Sequence, residues 1–214
     1  ISVSRLQVFI DCPRQYHAKR IEKLIPWAPP QLEVDAMMIG DMEHTLVQSS
    51  WPKGESWWSV AANLENEARR LLVAGERQHS LNAVQTAAVI SEVTLYAANG
   101  LRMLSQVAAA FPGIKFNFEV QLTGSARTGA IDCLGDDGQT TVLIDFKRSK
   151  GMNPGINQWA DFEKVQLWFY LNALKQDGLL RDQVVAGYFF FKDMEDSWLA
   201  CSDGETKSRL ELSM

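Results

Sequence analysis

The chain has 214 residues, 46% hydrophobic and 22% charged, with net charge −5 and a pI near 5.3. That length and apolar content suit one domain, or one with an insertion, and the acidic balance excludes a protein that coats nucleic acid by bulk charge. Apolar runs such as 184–191 are too short for a membrane helix, no basic segment leads an apolar stretch at the start, and Cys12, Cys133 and Cys201 have no C-x-x-C spacing, which argues against a disulfide framework or a zinc knuckle.

Ser4 and Gln7 form a capping-box pattern that opens an amphipathic segment with Leu6, Phe9 and Ile10. Cys12-Pro13 interrupts it before it resumes through Tyr16 and Ile21, so a broken N-terminal helix is expected. Its Arg14, Lys19, Arg20 and Lys23 form either a phosphate-binding patch or a solvated face. The Pro-rich 25–31 segment reads as a loop, and Gly40 is expected to precede a short helix carrying His44. Helical spacing runs over about 56–76, with Leu64, Ala68, Leu71 and Leu72, and over about 83–110, with Val89, Val93, Tyr96 and Leu101. Together they form a helical insertion at about 45–112, closed by Phe111-Pro112-Gly113.

From Lys115 the period changes to two, with Phe116, Phe118, Val120 and Leu122 on one face and Asn117, Glu119 and Gln121 on the other. A hairpin then supplies two strands, a helix follows over about 161–175, and residues 183–193 form another largely buried strand. The order of helix, three strands, helix and strand predicts an α/β core with helices on a mixed sheet.

The hairpin carries Asp132, Asp145 and Lys147. Asp137-Gly138 suits the centre of a two-residue type I′ turn, in which both residues take positive φ. That turn sets Asp136 opposite Gln139 and Asp132 opposite Leu143. Alternation then puts Asp132, Leu143, Asp145 and Lys147 on one face and Ile131, Cys133, Val142, Ile144 and Phe146 on a core face. Asp145 becomes the diagonal neighbour of Asp132, about 7–8 Å away along the backbone. Two carboxylates about 4 Å apart repel by roughly 4 kcal/mol at an effective dielectric near 20, so the pair calls for a cation or a proton. The cation is the simpler answer. A solvated strand face that happens to carry these charges is the alternative.

With Gly40-x-x-x-His44, Gln166-x-x-x-Tyr170 and the N-terminal 2–16 segment, this order of motifs resembles the PD-(D/E)XK nuclease superfamily, and within it the RecB and AddB type of nuclease domain. The resemblance implies a restriction-endonuclease-like core over the whole chain, a mixed central sheet flanked by helices at about 113–200 plus the helical insertion. It implies Mg²⁺ or Mn²⁺ held by His44, Asp132, Asp145 and the backbone carbonyl of Phe146. Asp132, Asp145, Lys147, Gln166 and Tyr170 are its implied catalytic residues. Glu119, on the polar face of the neighbouring strand, reads either as a supporting or occasional metal ligand or as a solvent-exposed strand residue. Lys147 would hold water and the scissile phosphate, and the cut would leave a 5′-phosphate and a 3′-hydroxyl. Candidate DNA contacts are Arg14, Arg20, Arg148 and Lys150.

The expected function is therefore a metal-dependent deoxyribonuclease, exonucleolytic on single-stranded or end-containing DNA, serving repair or recombination beside a helicase. Its alternative is a DNA-binding scaffold with the same fold and no catalysis. Ile1 leads to the expectation of a domain excised from a longer chain, whose missing domains or a helicase–nuclease partner would complete it, in the cytoplasm and without a membrane. In AddB-type domains the cysteine matching Cys12 joins three C-terminal cysteines on an iron–sulfur cluster. This sequence has only Cys201 near its end, so no cluster is expected. His17 and His79 read as surface residues.

Overall fold

The computed structural model describes residues 2–24, 36–51, 63–74, 81–122, 129–150, 166–202 and 207–210. The expected loop at 25–31, the beginnings of two predicted helices at 56–62 and 161–165, and His79 lie outside these residues.

The N-terminal helix is broken at the expected place, into α1 (Val3–Asp11), α2 (Pro13–Tyr16) and a π-helical turn (His17–Ile21). Cys12 takes an extended conformation and Pro13 opens α2, where its missing N–H costs nothing. The cap differs from expectation. Ser2, not Ser4, ends the helix, accepting from the Arg5 N–H at 3.4 Å, and Ser4 lies within α1. Cys12 is exposed, and its Sγ accepts from Gln15 N at 3.4 Å.

Helix α3 (Ala36–Ser50) starts before Gly40 rather than after it. Met38, Ile39, Met42, Leu46 and Val47 make a buried stripe that extends the apolar face a turn earlier than a glycine boundary allows. Helices α4 (Leu64–Ala74) and α5 (Ala83–Ala110) fall within the predicted stretches. At the start of α5, Asn82 and Gln85 form a reciprocal capping box with bonds of 2.9 and 3.0 Å.

The sheet follows, as β1 (Lys115–Gln121), β2 (Ala130–Asp136) and β3 (Thr140–Lys147), then helix α6 (Gln166–Gln176) and β4 (Gln183–Phe190). Two further strands, β5 (Trp198–Ser202) and β6 (Lys207–Leu210), extend it beyond the expected order. Both are short, too brief for a period to show in sequence, and β5 follows a 3₁₀ turn at Met194–Asp196. Among the described residues the strand order is 1-2-3-4-5-6, antiparallel except for β3 and β4, which run parallel. Gly187 lets β4 approach β5 closely, because a Cβ there would lie 1.9 Å from the Trp198 carbonyl oxygen.

Each face of the sheet has its own core. Helices α3, α4 and α5 pack with Cys133, Val142, Ile144, Phe146, Val185 and Phe189 on one face. Helix α6 packs with Leu134, Leu143, Ala186, Tyr188 and Phe190 on the other, joined there by Leu6 of α1. Strand β3 is therefore buried on both sides, which is usual for a strand paired in parallel beneath helices. The architecture is the mixed α/β sheet with flanking helices expected from sequence.

Candidate active site

The hairpin register differs from expectation by two residues, and the difference assembles the site. Leu134 pairs with Leu143 and Asp136 with Thr141, not Asp136 with Gln139. Gly138 has a φ of +91°, and among the described non-glycine residues only Lys23 and Glu119 have positive φ, so Asp137 does not occupy the centre of a type I′ turn. Its carboxylate instead accepts from the N–H groups of Gln139 at 2.8 Å and Thr140 at 2.6 Å, a role that places Asp before the tip rather than on it. Continued inward, this register sets Asp132 directly opposite Asp145 instead of diagonal to it. The ladder stops one step short, at Cys133 and Ile144, and Asp132 Oδ2 accepts from the Phe146 N–H at 2.8 Å in the gap.

Asp132 also sits where two strands change sides. In β1, Phe116 and Phe118 pack toward α3–α5, whereas Val120 packs toward α6. In β2 the partner of Phe118, Cys133, lies in the first core, and the partner of Val120, Ile131, lies in the second. Ile131 therefore does not share a face with Cys133. The reversal falls on Glu119 and Asp132, and Glu119 carries it with a φ of +50°. A left-handed conformation costs a non-glycine residue roughly 1–2 kcal/mol, and such strain concentrates at functional positions.

His44 reaches this crossover from α3. Its ring stands edge-on to Phe146 and Phe191, with centroids 5.7 and 5.8 Å away. One ligand atom each from His44, Glu119 and Asp132 lies within 4.8 Å of the others. Gly40, one turn before His44 on α3, has no neighbour among the described residues within 4 Å of where a Cβ would stand. Burial and the nearby Lys147 charge depress the imidazole pKa against the opposing pull of Asp145 and Glu119, which favours the neutral, ligating form. An imidazole with two carboxylates is a donor set that suits Mn²⁺ or Mg²⁺.

Asp145 lies beside this group and is engaged elsewhere. It is fully buried, forms an ion pair with the Lys147 ammonium and accepts at Oδ1 from Gln166 Nε2 at 2.6 Å. Gln166 Nε2 is also 3.2 Å from the Tyr170 hydroxyl, as their i, i+4 spacing on α6 allows. The Lys147 ammonium approaches the Phe146 carbonyl at 3.5 Å and lies 5.8 Å from the centroid of Tyr188, the residue paired with Asp145 across β3 and β4. Burial raises both Asp132 and Asp145 to about 6, against the opposing pull of Lys147. Lys147 is itself raised, because Asp145 and Asp132 outweigh the burial that disfavours its charge. Tyr170 and Tyr188 are pushed upward by burial and by Asp145, so both hydroxyls stay protonated.

The expected DNA contacts fall into two groups. Arg148 Nη1 bonds the fully buried Glu43 at 3.0 Å, its Nη2 bonds Glu92, and its guanidinium covers Tyr96 at 5.5 Å. Lys150 Nζ bonds Asp196 at 2.5 Å, and its N–H donates to Asp193 at 2.8 Å. Arg14 and Arg20 are exposed and make no ion pair among the described residues. The Glu43, Arg148 and Glu92 cluster was not anticipated. It joins residues adjacent to His44 and Lys147 with one from α5, and no local spacing signals such a contact.

The family model for the PD-(D/E)XK nuclease superfamily matches residues 1–210, and the chain belongs to that superfamily. No curated protein matches it. Among the described residues no helix is long and apolar enough to cross a membrane.

Proposed function

We propose that the chain hydrolyses DNA phosphodiester bonds with a divalent cation, Mg²⁺ or Mn²⁺, held by His44, Asp132 and Glu119, with Asp145 and the Phe146 carbonyl beside it. The supporting observation is the convergence of one imidazole and two carboxylates within 4.8 Å, at a strand crossover next to a buried Asp–Lys pair. When bound, the cation supplies an acidified water and charge neutralisation at the phosphate.

The remaining roles follow from the residues themselves. Lys147 keeps its proton and so offers a positive point charge and donor to the scissile phosphate or to the attacking water. Gln166 fixes one oxygen of Asp145 and thereby the direction of the other. Tyr170, neutral and tied to Gln166, offers a hydroxyl donor on the strand-binding side. Arg14 and Arg20, which make no ion pair among the described residues, can meet phosphate directly, whereas Arg148 and Lys150 would first leave carboxylates.

The order His44, Asp132, Asp145-x-Lys147, Gln166-x-x-x-Tyr170 supports a RecB/AddB-type assignment, and with it exonucleolytic end processing beside a helicase that leaves 5′-phosphates. The test is calorimetric titration of Mn²⁺ into wild type and Asp132→Ala, followed by cleavage of linear and covalently closed circular DNA. Binding and cleavage by wild type alone, confined to linear DNA, are expected. Cleavage by Asp132→Ala at the wild-type rate would overturn the metal assignment, and equal cutting of circles would overturn the exonucleolytic one.

A further inference from the structure

We infer that the N-terminal helices carry a stacking platform for single-stranded DNA, formed by the rings of Phe9 and Tyr16, with Arg14 and Arg20 of the same segment to meet its phosphates. The inference rests on the nuclease reading of the site and names where its substrate strand is held.

The broken helix creates the platform. In an unbroken α-helix two residues seven apart are separated by a rise of about 10 Å. The helix is broken at the extended Cys12, and across that break the Phe9 and Tyr16 rings meet edge to face, with centroids 5.5 Å apart. Among the described residues neither ring belongs to a core cluster; Phe9 is 49% exposed and Tyr16 half-buried, and Ile10, Ile21 and Leu24 of the same segment are exposed as well.

Charge selects the occupant. Residues 2–24 hold five Arg and Lys against Asp11 and Glu22, in a chain whose net charge is −5. Glu22 lies 3.4 Å from His17, while Arg14, Lys19, Arg20 and Lys23 make no ion pair among the described residues. A face for another protein would carry few uncompensated cations at its centre, since charged residues are depleted there. Exposed rings among free cations are instead what a single strand uses, stacking its bases while phosphates meet the charges. Bases in a duplex already stack on one another and present no free face. The platform is also anchored to the active site, because Leu6 on α1 packs in one core with Leu167, Tyr170 and Leu174 of α6.

The experiment measures fluorescence anisotropy of a labelled oligothymidine and of a blunt duplex, in EDTA so that nothing is cut, across a salt series. Phe9→Ala with Tyr16→Ala should weaken oligothymidine binding about tenfold or more, leave duplex binding within about twofold and keep the salt slope. Phe9→Trp with Tyr16→Phe should retain affinity. Arg14→Gln with Arg20→Gln should flatten the slope by about 0.7 for each phosphate no longer neutralised. Unchanged oligothymidine affinity in the alanine pair, or an equal loss on duplex, overturns the platform, as does wild-type self-association in sedimentation that the alanine pair abolishes. Wild type that neither binds either DNA nor cleaves with Mn²⁺ would instead sink the nuclease reading itself.

Discussion

The two halves of the site are built on opposite electrostatic terms. On one side Asp145 is sealed, with Lys147 on one oxygen and Gln166 on the other. On the other side Asp132 is half-buried, receives one backbone N–H and faces Glu119, a second carboxylate that adds repulsion. The first half is complete as folded. The second holds two carboxylates and a neutral imidazole, and among the described residues no cation forms an ion pair with them, Lys147 acting on Asp132 while its own ion pair is with Asp145. A divalent ion supplies what that half lacks, whereas the Asp145 and Lys147 pair is preorganised before any ion arrives.

The largest expected effect comes from breaking the sealed half. Lys147→Met leaves Asp145 buried and uncompensated, which costs about 3 kcal/mol or more of stability. It should lower turnover at least about a thousandfold while Mn²⁺ still binds, as calorimetry alongside single-turnover cleavage will show. Loss of Mn²⁺ binding together with turnover would mean that the halves are not separate. Next in size, Arg148→Met strands Glu43, whose pKa burial already lifts to about 7, near Glu92. A loss of about 2 kcal/mol is expected in urea melts, with much of it recovered by adding Glu43→Gln.

A sharper comparison pairs two isosteric changes. Asp145→Asn removes the partner of a buried ammonium and should destabilise the cation-free protein by about 2 kcal/mol. Asp132→Asn keeps an oxygen to accept from Phe146 N and relieves carboxylate repulsion, so it should stabilise the cation-free protein by about 1 kcal/mol and yet abolish Mn²⁺ binding. Opposite signs in parallel denaturant melts support the division. Equal destabilisation by both would erase it.

Much of this was legible in the sequence for local reasons. The 3.6 period of 83–110 located α5, the alternation from Lys115 located β1, and Asp145-x-Lys147 on a strand had to present both side chains to one face. The register was not legible, because Asp137-Gly138 serves two turn chemistries and the choice rests on which N–H groups its carboxylate meets. Nor was the crossover at Glu119, since glutamate carries no preference for positive φ and only packing of Phe118 and Val120 into different cores imposes it. Glu43, Arg148 and Glu92 lie far apart in the chain and meet only through the placement of α3 and α5 against the end of β3.

The smallest effect is the most diagnostic of the open half, and its sign follows from linkage. Asp132 titrates near 6 in the folded chain against 3.8 when free, so between those values the folded state holds more protons than the unfolded one. Its contribution to stability is therefore present below about pH 4, declines as pH rises toward 6, and is flat above. A cation must displace that same proton, so Mn²⁺ affinity should run the other way, rising through pH 6 and levelling beyond it. Melting temperatures from pH 4 to 8 with and without saturating Mn²⁺ should diverge as pH increases, the cation-free protein losing stability while the loaded one holds it. In Asp132→Asn the cation-free slope should shrink and the Mn²⁺ curve should collapse onto it. An undiminished gap between the two curves in that variant would place the ion away from Asp132.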